Sequence, residues 1–171
     1  IMRAASDSAR LIPARVVDAT IMHRDNQLVI DRGTADGVTD EMGVVSGQGV
    51  VGIVYSAGPH FSVVMPVLHS QSSISCRLRG SGYFGYLRWE GGSMLTAVVN
   101  DIPRHARVKP GDIVETSGYS AVFPAGLFVG RVDAVEDSDD GLAYTLRVRL
   151  GVDFGRLNDV VVVADRRRKE I

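Results

Sequence analysis

The chain has 171 residues, a formal net charge of −1, and 45% hydrophobic against 23% charged residues. This is the balance of an ordinary globular protein with room for one large or two small domains, and it supplies no electrostatic drive toward nucleic acid. The sole cysteine, Cys76, excludes an intramolecular disulfide. Apolar runs such as Val160–Val163 fall far short of the roughly 20 residues that a membrane-crossing helix needs.

The first segment, Ile1–Ile12, is the one stretch with helical character: Ile1, Ala5, Ser8 and Ile12 follow a heptad-like spacing. It is too short to be stable alone, and Pro13 ends it. Two readings stand, a frayed terminus or the end of a coiled-coil helix. Because the sequence opens Ile1-Met2, it reads as a trimmed piece of a longer protein, so the absence of a membrane span here says little about the full-length protein.

After Pro13 the pattern is β throughout. Strands are expected at Ala14–Ile21, Gln27–Asp31, Gly43–Ser46, Gly49–Ala57, Phe61–Val67, Ser73–Arg79, Phe84–Glu90, Met94–Asp101, Asp112–Thr116, Leu127–Glu136, Tyr144–Leu150 and Asn158–Val163. Period-two alternation is cleanest at Ile74, Cys76 and Leu78 and at Tyr144, Leu146, Val148 and Leu150. Turn pairs at Asp36-Gly37, Gly58-Pro59, Gly91-Gly92, Pro110-Gly111 and Asp140-Gly141 punctuate the run. Gly52, Gly85 and Gly130 lie inside strand patterns, where glycine marks a barrel corner or a close backbone approach.

Gly33–Val54 and Val108–Val132 echo one another as two turn-strand-connection-strand units. The fold class expected is therefore all-β, with two small six-stranded barrels in a chymotrypsin-like arrangement that lacks a catalytic site. Residues 13–66 with 140–165 are assigned to the first barrel, 67–139 to the second, and 166–171 to a disordered tail.

No constellation carries reaction chemistry. Gly47-Gln48-Gly49-Val50-Val51-Gly52 matches a dinucleotide-binding glycine motif, but strand rather than helix follows it, and a hairpin connection is the expectation. A double barrel raises the serine-hydrolase alternative; yet the chain has no Gly-x-Ser-x-Gly or Gly-Asp-Ser-Gly-Gly, and Thr116-Ser117-Gly118 is the nearest piece. His23, His60, His69 and His105 are scattered, without metal-ligand spacing. Asp137–Gly141 fails as a calcium loop because Leu142 and Val148 stand where Gly and Glu are needed. No catalytic residue, metal or cofactor is assigned.

What remains is a cluster of aromatics, Tyr83, Phe84, Tyr86 and Trp89, beside Arg77, Arg79 and Arg88. Alternation sends Phe84 and Tyr86 to one face and Leu87 and Trp89 to the other, so one set is core and the other a candidate contact patch. The long connection after Thr116-Ser117-Gly118 adds Tyr119 and Phe123, although Phe123-Pro124 also suits a plug for a barrel end. The candidates for partner contact are Phe84, Tyr86, Tyr119 and Phe123.

The order of these blocks resembles a known family. Ala14-Arg15-Val16-Val17, Asp31-Arg32-Gly33, Asp36-Gly37-Val38, Met42–Val45 and Gly49–Val54 come first; Gly111–Val114, Thr116-Ser117-Gly118, Phe123–Leu127 and Val129–Val132 follow. Together, over about Leu11 to Ala164, they are similar to the MreC family of rod-shape-determining proteins. The resemblance implies a non-enzymatic scaffold of the cell-wall elongation machinery with a double barrel on the periplasmic side of the bacterial inner membrane. It also implies an N-terminal membrane helix and coiled coil, links to MreB and MreD, binding to the class B penicillin-binding transpeptidase, and self-association into dimers or filaments.

Overall fold

The structure, a computed structural model, describes residues 9–21 and 24–165. Twelve strands run in chain order: β1 (Ala9–Thr20), β2 (Gln27–Ile30), β3 (Gly43–Ser46), β4 (Gly49–Ala57), β5 (Ser62–Pro66), β6 (Ile74–Leu78), β7 (Phe84–Arg88), β8 (Thr96–Pro103), β9 (Ile113–Thr116), β10 (Phe128–Asp137), β11 (Ala143–Leu150) and β12 (Asp159–Asp165). They close into two antiparallel six-stranded barrels, β1-β12-β3-β4-β5-β2 and β10-β11-β8-β7-β6-β9. The all-β double barrel expected from the alternation is what forms.

Two boundaries differ from the expectation. Ala9–Ile12 are strand, paired with Val162–Asp165, rather than the end of a helix. Pro13 interrupts nothing: β1 gains its second neighbour, β2, only from Val16 onward, and a proline is tolerated where one side of a strand is unpaired. The remainder of the expected helix, residues 1–8, and the tail 166–171 lie outside the described residues. The second difference is β11, assigned above to the first barrel with 140–165. It pairs with β10 and β8 and belongs to the second. The turn at Ser138–Leu142 joins β10 to β11 as a local hairpin, and a short loop closes at less entropy than a return across the molecule. Only β12 crosses back, so the second barrel is inserted within the first.

Each barrel encloses an aliphatic core of Val, Ile and Leu. Leu28, Ile30, Val51 and Val64 are fully buried in the first, and Ile74, Leu87, Leu146 and Val148 in the second. The equivalent strands β4 and β10 each carry a register shift and an interior glycine. A Cβ on Gly52 would collide with the Met65 carbonyl, and one on Gly130 with that of Arg149. Both glycines thus serve the close backbone approach anticipated from their place in a strand.

The barrels meet along the β3–β4 hairpin. Gly43 lies against the Phe123 ring, Gly49 against Phe128, Gly151 against the Gln48 carbonyl, and the Asp153 N–H donates to Gln48 Oε1 at 3.1 Å. The glycine-rich motif is this hairpin: Ser46 pairs with Gly49 around Gly47-Gln48, and β4 continues directly.

Candidate partner-binding site

β7 is short and faces two ways. Leu87 is buried, while Phe84 and Tyr86, two residues apart, are 48% and 53% exposed. Trp89, just beyond the strand, is core and donates its indole N–H to the Ser93 carbonyl. The face assignment made from alternation therefore holds. Tyr119, 71% exposed in the long connection, brings its ring edge-on to Phe84 with centroids 4.9 Å apart. Three of the four expected contact residues thus share one face of the second barrel.

The fourth does not. Phe123 is only 4% exposed and is wedged against Gly43 of the first barrel. It is unavailable to a partner and acts as the plug between barrels. An aromatic beside a proline in a long loop offers no sequence signal for its direction; the absent Cβ at Gly43 makes the seat.

The connection from Ser117 to Gly126 is fixed by its two ends. Thr116 Oγ1 donates to the Pro124 carbonyl at 2.7 Å and accepts from the Leu127 N–H at 2.8 Å, both buried. The Ser117 and Ser75 hydroxyls are 2.6 Å apart, and the Tyr119 N–H donates to Ser117 Oγ at 3.2 Å. Gly118 takes φ +78°, a left-handed conformation, with Ala125 packed where a side chain would go. Tyr119 is presented by an ordered arch.

Beneath the arch lies a group that the sequence reading passed over. Glu115 on β9 is 4% exposed although it faces outward, because Arg77 and Arg79 close over it. Arg77 Nε donates to its Oε2 at 2.8 Å, and Arg79 Nε donates to its Oε1. Burial opposes ionisation of Glu115, but the hydrogen bonds and charges of Arg79 and Arg77 prevail and hold its pKa below the usual carboxylate value. The β6–β9 register sets Arg77 opposite Glu115, and the β6–β7 register sets it opposite Phe84. An arginine pair spaced by two is visible in sequence; which acid it meets depends on non-local pairing.

Nothing among the described residues resembles a reaction centre. The close partner of Ser117 is another hydroxyl, so no base activates it. His105 stacks edge-on against Tyr83, and His69 lies 3.8 Å from Asp25. Burial, despite a hydrogen bond with the Leu87 backbone, pushes the Cys76 thiol up to about 12, which leaves it a core residue and no nucleophile. No group of three or more His, Cys, Asp or Glu able to hold a metal occurs among the described residues. A separate groove of about 590 Å³ on the first barrel is lined by Asp40, Glu41, Ile53, Tyr55 and Met65.

Comparison with known proteins places this architecture. The family description "Rod shape-determining protein MreC, barrel core" matches residues 16–164. The cell shape-determining protein MreC of Listeria monocytogenes is 29% identical over 153 residues, covering 88% of this chain and 52% of that protein. That of Bacillus subtilis is 31% identical over 160 residues, covering 85% and 55%. The chain thus spans about half the length of these relatives. A solved MreC structure from Listeria monocytogenes superposes with a TM-score of 0.85 at 28% identity, over 92% of this chain and 76% of that one. A complex between a penicillin-binding protein and MreC from Helicobacter pylori shares the fold, with a TM-score of 0.71 at 19% identity over 92% of this chain and 99% of the matched one. MreC proteins are determinants of cell shape and not enzymes. Match and fold agree over both barrels, and the chain belongs to the MreC family of rod-shape-determining proteins, of which it carries the barrel core.

Proposed function

We propose that this chain is the extracytoplasmic docking platform of a cell-wall elongation scaffold, and that it helps set rod shape by holding the class B penicillin-binding transpeptidase. One observation carries the reading: Phe84, Tyr86 and Tyr119 expose large apolar rings on one face of a rigid closed barrel. Aromatic residues favour the centres of protein interfaces, and exposed apolar clusters on a folded surface mark interaction sites. The fold shared with the penicillin-binding protein complex of Helicobacter pylori supports a partner of this class. Anchoring by a membrane helix, association with MreB and MreD, and assembly into dimers or filaments complete the proposed setting. No helix among the described residues is long and apolar enough to cross a membrane.

The test is a pull-down of the extracytoplasmic domain of the transpeptidase with Phe84→Asp, Tyr86→Asp and Tyr119→Asp variants, each checked by circular dichroism. The platform reading expects folded variants that capture less transpeptidase than wild type. Unchanged capture by all three removes the surface. The serine-hydrolase alternative expects labelling by a fluorophosphonate probe; the platform expects none.

A further inference from the structure

The aromatic patch is bordered by two guanidinium groups whose positions are fixed from below. Arg77 and Arg79 each spend Nε on the buried Glu115, and their side chains remain 38% and 50% exposed. Among the described residues their Nη atoms make no hydrogen bond. Arg77 stands directly across from Phe84 on the neighbouring strand, and Phe84 packs on Tyr119. One carboxylate against two guanidiniums leaves an excess positive charge beside the exposed rings. Most surface arginines must give up rotamer freedom to bind an anion; these two are already held, and a guanidinium's free Nη edge matches a carboxylate.

We propose that Arg77 and Arg79 form a preorganised carboxylate clamp, so that the segment docking on this patch is acidic: an Asp or Glu engages the clamp while an adjacent apolar side chain seats on Phe84 and Tyr119. This rests on the platform reading above and specifies the chemistry of its partner. Glu115 is here a positioning residue. It touches no partner and aims both arginines.

The experiment measures affinity of the 171-residue chain for the extracytoplasmic domain of the class B transpeptidase from the same bacterium, by titration calorimetry from about 50 to about 300 mM salt, a range over which screening of a surface charge pair grows markedly. Two variants accompany wild type. In one, Phe84→Ser and Tyr119→Ser remove the apolar seat. In the other, Arg77→Gln, Arg79→Gln and Glu115→Gln together remove the clamp without leaving a buried charge unpaired. Wild type is expected to weaken as salt rises. The clamp variant is expected to bind roughly tenfold more weakly at low salt, as for loss of a held charge pair at an interface, and to lose most of the salt dependence. If the seat variant weakens binding but the clamp variant matches wild type in affinity and salt slope, the acidic-segment inference is overturned and the platform stands. If the seat variant binds as wild type does, the platform reading itself fails. Should the clamp variant not fold, the salt series on wild type decides alone: affinity flat or rising with salt overturns the clamp. Retention of wild type on phosphatidylglycerol vesicles, with no salt-sensitive binding to the transpeptidase, reassigns the arginines to a lipid headgroup and also overturns it.

Discussion

Glu115 faces outward from its barrel and is nonetheless buried, because Arg77 on β6 and Arg79 just beyond it cover it. Its ionised form is favoured in the folded state, so its folded pKa lies below its unfolded one. The sign follows: this contribution to stability is complete above the unfolded value of about 4.3 and is lost as pH falls through the lower folded value. Urea unfolding from neutral to acid pH is expected to show that loss in wild type and a smaller one in Glu115→Gln. At neutral pH Glu115→Gln should be less stable by about 2 kcal/mol, the scale for removing one partner from a charge-assisted pair. Equal pH profiles for the two proteins contradict this role. Alternation along Ile113–Thr116 shows that Glu115 and Val114 face opposite sides, but not that an outward acid is covered. That depends on a partner some 36–38 residues away in sequence.

The strands themselves were legible because one buried and one wet face impose a period of two. Short hairpin turns mark their ends, and the β3–β4 pair follows directly. The allotment of β11 was not legible, because alternation says which face is buried and nothing about which barrel buries it. The arch of residues 117–126 was visible only as a long gap between strands; its order comes from Thr116, whose hydroxyl takes one bond from Leu127 and gives one to Pro124. Thr116→Val keeps the shape and removes both bonds, leaving a buried N–H and a buried carbonyl unsatisfied. The expected loss is about 1–3 kcal/mol, with faster amide exchange confined to the arch and weaker partner capture through Tyr119. Exchange unchanged in the arch removes Thr116 as its clamp.

Across the molecule, the two barrels are joined by an aromatic plug. Phe123 and Phe128 line the seam against Gly43 and Gly49, and the buried residues of both barrels form one continuous cluster. This divides the aromatics into two functions. Phe123→Ala should destabilise the fold by about 3 kcal/mol, the lower part of the range for truncating a buried Phe, and leave transpeptidase affinity close to wild type at temperatures where the protein stays folded. Phe84→Ala should do the reverse: little change in unfolding midpoint, and a clear loss of affinity. If the two variants behave alike, seam and patch are not separate.

On the proposed platform, the outer face around β7 touches the transpeptidase in the living cell. Site-specific photocrosslinking tests it directly, with benzoylphenylalanine placed at position 84 or 119 of the full-length protein and, as a control, at Tyr55 on the exposed face of the first barrel. Crosslinks to the transpeptidase from 84 and 119, and none from 55, are expected. Transpeptidase adducts from 55 alone, or from none of the three positions, contradict the platform proposed here.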